Sequence, residues 1–150
     1  MKRALFVVLA LFAMSACASD PRVSDADRLA LYRANAGAPV DNFQYFGSLN
    51  GWTPLGTTAL AVWTRPSQAY LLELNGTCND LDFANAITIT NQFGRVYKRF
   101  DKVIVLGRGI DRIPCWIKEI RPIDTKALKQ AEKDKRAAQT AEREGDKPAD

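Results

Sequence analysis

Histidine is absent from the 150 residues. That absence excludes a Ser-His-Asp triad, a histidine zinc site and a haem held by histidine. The chain also lacks Cys-x-x-Cys, the usual spacing of a catalytic dithiol, and it has no Gly-x-Ser-x-Gly elbow, phosphate loop or dinucleotide fingerprint. Its longest apolar run, residues 4–14, has eleven residues, against the roughly 20 that a helix needs to span a bilayer. Cysteine is scarce, at three, too few to build a metal site without histidine. No metal or cofactor is therefore expected. What remains, 47% hydrophobic and 25% charged, is the make-up of one compact domain with short extensions.

The first residues carry an address. Lys2 and Arg3 precede the apolar run, and small residues follow it, the pattern of a secretory signal peptide over residues 1–16. Met14-Ser15-Ala16-Cys17 resembles a bacterial lipobox, in which cleavage falls before a lipidated cysteine. In Gram-negative lipoproteins an aspartate after that cysteine favours retention on the inner membrane. Ala18 stands there instead, so the resemblance implies an outer-membrane lipoprotein, acylated at Cys17 and facing the periplasm. Each buried methylene of an acyl chain contributes about 0.8 kcal/mol, and two chains anchor stably. The alternative is ordinary cleavage at Ala16-Cys17-Ala18, which would release a soluble periplasmic protein.

Either route leaves Cys78 and Cys115. In an oxidising compartment two remaining cysteines of a small domain are expected to pair. A domain of about 80 ordered residues is of a size that benefits from such a staple.

Three parts follow the leader. Residues 17–41 form a lead-in with a short helix. Ser24 is suited to cap it, Asp25 and Asp27 to its first turn, Leu29 and Tyr32 to a docking face, and Gly37 and Pro39 to its end. Residues 42–123 predict strands over 43–49, 59–64, 69–74, 86–90, 96–100, 102–106 and 115–120. They are punctuated by Asn50-Gly51, Arg65-Pro66-Ser67, Asn75-Gly76, Phe93-Gly94 and Gly107-Arg108-Gly109. Tyr70, Leu72 and Leu74 alternate with Leu71, Glu73 and Asn75, a half-buried antiparallel pattern. The last strand has apolar residues on both faces and is expected to be central or bulged. Residues 124–150 balance seven basic against seven acidic residues. They have Leu128 as their only large aliphatic residue, and Glu132 and Arg136 are spaced for a helical ion pair. This predicts a solvated helical or disordered tail. The fold expected is mainly β with α elements at its edges: a small antiparallel barrel or sandwich, a short N-terminal helix and a solvated C-terminal one.

Charge is the only lead to a partner. Without Lys2 and Arg3 the chain holds 19 basic and 17 acidic residues, so the pI of 9.1 overstates its basicity. Arg95, Lys98, Arg99, Lys102, Arg108 and Arg112 nevertheless cluster, with Phe93, Tyr97 and Phe100 among them. In an envelope compartment such a cluster fits lipid head groups, lipopolysaccharide or wall polymers, not nucleic acid. Asp80, Asp82, Asp101 and Asp111 are the carboxylates available for a hydrolase pair, while Trp52, Trp63 and Trp116 read as core residues.

Several segments together resemble a family of uncharacterised small exported proteins of Gram-negative bacteria. They are Ala36-Gly37-Ala38-Pro39-Val40, Gly51-Trp52 with Leu55-Gly56, Ala69-Tyr70-Leu71-Leu72 leading to Cys78, Phe100-Asp101-Lys102-Val103, and Pro114-Cys115 through Ile120-Arg121-Pro122-Ile123-Asp124. The resemblance implies an envelope protein with one disulfide and supplies no activity. The function expected is a structural or binding module, held to the membrane by its lipid and meeting envelope proteins or anionic polymers. A small hydrolase with a carboxylate pair is the alternative.

Overall fold

A computed structural model describes residues 24–106 and 112–145. The residues read as a signal peptide, Cys17, Arg108 and Asp111 lie outside the described residues, as does the side chain of Arg112.

Helix α1 (Asp25–Ala34) begins as its sequence dictates. The Ser24 hydroxyl accepts the Asp27 amide at 3.1 Å, and Asp25 and Asp27 sit at the positive end of the helix dipole. The helix ends at Ala34, short of Gly37, where Asn35 caps it and turns its side chain back to the Leu31 carbonyl at 2.8 Å. Gly37 and Val40 serve elsewhere. Their amides donate to the carbonyls of Pro122 and Ile120, each at 2.8 Å, so the lead-in lies along an edge of the last strand.

The strands are β1 (Asn42–Gln44), β2 (Gly51–Pro54), β3 (Ala59–Arg65), β4 (Gln68–Leu74), β5 (Ala86–Ile89), β6 (Arg95–Tyr97), β7 (Lys102–Leu106) and β8 (Arg112–Ile123), with a 3-10 turn at Leu81–Phe83. Six of them form one curled antiparallel half-barrel in the order β2-β3-β4-β8-β7-β5, while β1 and β6 pair as a separate ribbon. The fold is α+β and mostly β. Strand β2 falls where Asn50-Gly51 signals a turn: Gly51 instead pairs with Trp63. Strands β1 and β6 are shorter than expected because Gly47 and Arg99 take left-handed backbone, φ 84° and 64°, and break the ladders.

β8 is both central and bulged. Its second half pairs with β4, from Leu74↔Ile117 to Ala69↔Ile123, and its first half pairs with β7, from Leu106↔Arg112 to Lys102↔Trp116. The register slips between Glu73 and Leu74, leaving Lys118 unmatched. One extra residue reverses the inward phase, so Cys115 and Ile117 before it and Ile120 after it all reach the same core.

Two cores lie on opposite faces of the sheet. Leu60, Val62, Leu72 and Leu74 point to one, roofed by Phe43 and Val96 of the β1–β6 ribbon; Ala59, Ala61, Ala69 and Leu71 point to the other, beneath Tyr32 and Leu128 of the helices. The half-buried expectation for β4 is thus corrected: both of its faces are covered. Alanines on the helix side let the helices approach the sheet closely. Helix α2 (Thr125–Gly145) is capped by the Asp124 carboxylate, which accepts the Lys126 and Ala127 amides at 3.0 Å. Its first turn is held by the Thr125 hydroxyl donating to the Ser67 carbonyl and by buried Leu128; most of its later residues are exposed. No helix among the described residues is long and apolar enough to cross a membrane.

Cys78 and Cys115 form a disulfide inside the larger core, with Cα atoms 5.6 Å apart and a sequence separation of 37. It fastens the loop after β4 to β8. For a loop of that length, chain entropy gives about 4 kcal/mol. Replacing both cysteines by alanine is expected to lower unfolding stability by about 3–4 kcal/mol in urea titration, and neither Cys78 nor Cys115 of the wild-type protein is expected to react with an alkylating agent until a reductant is added.

Candidate functional site

Of the six expected cations, the side chains of Arg95, Lys98, Arg99 and Lys102 are described. Arg95 projects from β6 and donates to the Asn42 side chain at 2.8 Å. Lys98 is committed to Asp41 at 2.8 Å, and its hydrogen bond and charge hold the Asp41 carboxyl below its ordinary range. Arg99 is exposed in the left-handed turn after β6. Lys102 lies over the Trp116 ring, 4.0 Å from its centroid.

That last contact marks the most chemically distinct surface. Lys102 and Trp116 are cross-strand partners on β7 and β8, next to the pair Ile104↔Pro114 and, on β5, Thr88. Cys115 and Ile117 point inward from β8, so Trp116 points outward, on the side where the helices lie further along the sheet. Trp116 is 45% exposed. It is therefore a surface residue, unlike Trp52 and Trp63, which pack against the two cores. A tryptophan face backed by a cation can take a planar or anionic ligand group.

The expected carboxylates are placed differently. Asp101 is 1% exposed and spends its oxygens on the fold: one accepts the Thr90 hydroxyl and the other the Tyr97 amide, both at 2.7 Å. It locks the turn between β6 and β7 and does not face water. Asp80 adopts a left-handed backbone at the start of the 3-10 turn, φ 61°. Asp82 meets Asp25 of α1, a residue singled out only as a helix-start acid. Burial first, then the Asp25 charge, pushes the Asp82 carboxyl up, while Arg28 pulls it down. Arg28 also pairs with Asp25 at 3.6 Å.

A second feature was hidden from the sequence. α1 and α2 enclose a cleft of about 180 Å³ lined by Arg28, Tyr32, Glu132, Lys135, Arg136 and Gln139. Burial and then the Glu132 charge push the Tyr32 phenol above its ordinary range. The expected Glu132–Arg136 pair is present at 3.9 Å. Two runs spaced three and four apart, on helices separated by about a hundred residues of chain, carry this cleft. Each alone looks like an ordinary solvated helix face.

Removing the Asp101 carboxylate strands a buried amide and a hydroxyl. Asp101→Ala is expected to cost about 2–4 kcal/mol by urea unfolding, and Asp101→Asn, which keeps one acceptor, distinctly less.

One family model, that of a family of unknown function termed DUF6491, matches residues 1–139. No curated protein matches, and no solved structure matches.

Proposed function

We propose, for a chain that belongs to the DUF6491 family of unknown function, the role of a lipid-anchored cell-envelope module that binds an anionic partner at the periplasmic face of the outer membrane. The observation that carries this reading is the closed Cys78–Cys115 bridge within the core. Such bridges persist in oxidising compartments and are rare in reducing ones. A basic start, an apolar run and Cys17 precede the domain, and the family match includes this leader. The binding surface is the outward face of β7 and β8, where Lys102 and Trp116 stack, with Arg99 on the neighbouring turn. Anionic envelope polymers or envelope proteins are the partners whose chemistry this surface suits.

A hydrolase is the second reading, and the raised Asp82 carboxyl beside Asp25 is the observation that favours it. In that reading Asp82 is the general acid, and Asp82→Asn abolishes release of reducing ends from wall glycan.

Growth with a fatty-acid analogue is expected to label the wild-type protein in the membrane fraction, and Cys17→Ala to remove the label. Absence of label, or label that survives Cys17→Ala, ends the lipoprotein reading. Crosslinking in intact cells then recovers the partner, with recovery expected to fall on Lys102→Glu or Trp116→Ala.

A further inference from the structure

The β1–β6 ribbon ends in bare aromatic rings. Gln92 and Arg95 exchange both backbone bonds, at 2.7 and 3.0 Å, so Phe93 and Gly94 form a two-residue hairpin loop. Both are left-handed, φ 48° and 76°, the mirror-image turn that Asn-Gly fills at least cost. Phenylalanine there carries a backbone penalty and gains no burial in return, since Phe93 is 104% exposed. The Tyr45 amide donates to the Gly94 carbonyl at 2.8 Å, so the ladder runs one pair beyond Gln44↔Arg95. One step further places Phe46, 68% exposed, across from Phe93. Phe43, Tyr45 and Val96 fill the core, so by alternation Gln44, Phe46 and Arg95 lie on the outer face. Neither packing nor turn chemistry accounts for Phe93. Both would favour a small polar residue.

We infer that this tip is a membrane-docking finger, in which Phe46 and Phe93 enter the boundary between head groups and acyl chains while Arg95, next to the tip on β6, meets anionic head groups. A convex two-residue tip cannot enclose a small ligand. A bilayer interface admits aromatic rings without a matching pocket, and a cation set behind them complements a negative surface. The finger rests on the envelope reading only for the presence of a membrane. It adds a second, reversible contact that would fix how an anchored domain sits on its bilayer.

The test reads the tip itself. In the full chain, Phe93→Trp is compared with Phe83→Trp, a position 85% exposed on the 3-10 turn, which is not part of the ribbon. Vesicles of phosphatidylethanolamine and phosphatidylglycerol, the latter brominated on its acyl chains, serve as the probe. Read as the difference from the parent chain, which already holds Trp52, Trp63 and Trp116, the tip tryptophan is expected to shift to shorter wavelength and to lose at least half its emission, with the Phe83→Trp signal unchanged. Phe93→Asn, which suits the turn, is expected to raise the melting temperature by a few degrees while weakening binding to the vesicles by about tenfold. A tip tryptophan that keeps its aqueous emission overturns the finger and leaves a protein partner as its occupant. If Cys17 is labelled while the tip stays silent, the anchor stands and the finger falls. A quenched tip on a chain without label does the reverse.

Discussion

The twelve residues of β8 are the strand on which the rest of the molecule hangs. One part of its backbone bonds to β4 and another to β7. Its outer edge is then closed by two segments that belong to no strand: Gly37 and Val40 of the lead-in, and Arg99 with Asp101 of the β6–β7 turn, which exchange bonds with Ile117 at 2.6 and 3.0 Å. Without those segments the second half of β8 would be an edge with unpaired amides and carbonyls, costly to leave inside a folded chain. The disulfide enters the same strand at Cys115, so the covalent link and the hydrogen-bond hub coincide.

The Lys118 bulge is what lets one strand serve two cores. A regular strand would present every second residue to one face throughout. The slip turns Cys115, Ile117 and Ile120 to the larger core and still sends Ile123 to the helix-side core. Trp116, which precedes the slip, faces outward by plain alternation between Cys115 and Ile117, opposite Lys102 on β7.

Most of the fold was legible because local signals agreed. Ser24 with Asp25 and Asp27 started α1, Pro66-Ser67 separated β3 from β4, and two cysteines left beyond the leader pointed to a bridge. The misses have physical causes. Asn50-Gly51 is turn chemistry by composition, yet Gly51 sits in a ladder because Trp63 lies opposite. Leu71 looked half-solvated because its cover comes from Tyr32 and Leu128, at distances along the chain that no short window spans. The partners of Lys98 and Lys102 were not legible either, because Asp41 and Trp116 come from distant parts of the chain. Phe93-Gly94 was legible as a turn, but not that its phenylalanine would remain bare.

Charge sets the manner of any recognition by this surface. Beyond residue 16, 19 basic residues stand against 17 acidic ones, so this part of the chain projects little net field. Screening at physiological ionic strength confines exposed charges to about 8 Å. Long-range steering is therefore weak, and attraction has to come from contacts made on arrival. The Lys102 ammonium over the Trp116 ring suits that regime, because its partner is an aromatic quadrupole at 4.0 Å and its remaining N–H groups stay free to meet an anion. Lys98 does not suit it, since an anion would first have to displace Asp41. Specificity on such a surface follows from which cations are already spent, and the sheet decides that by what it places across from each one.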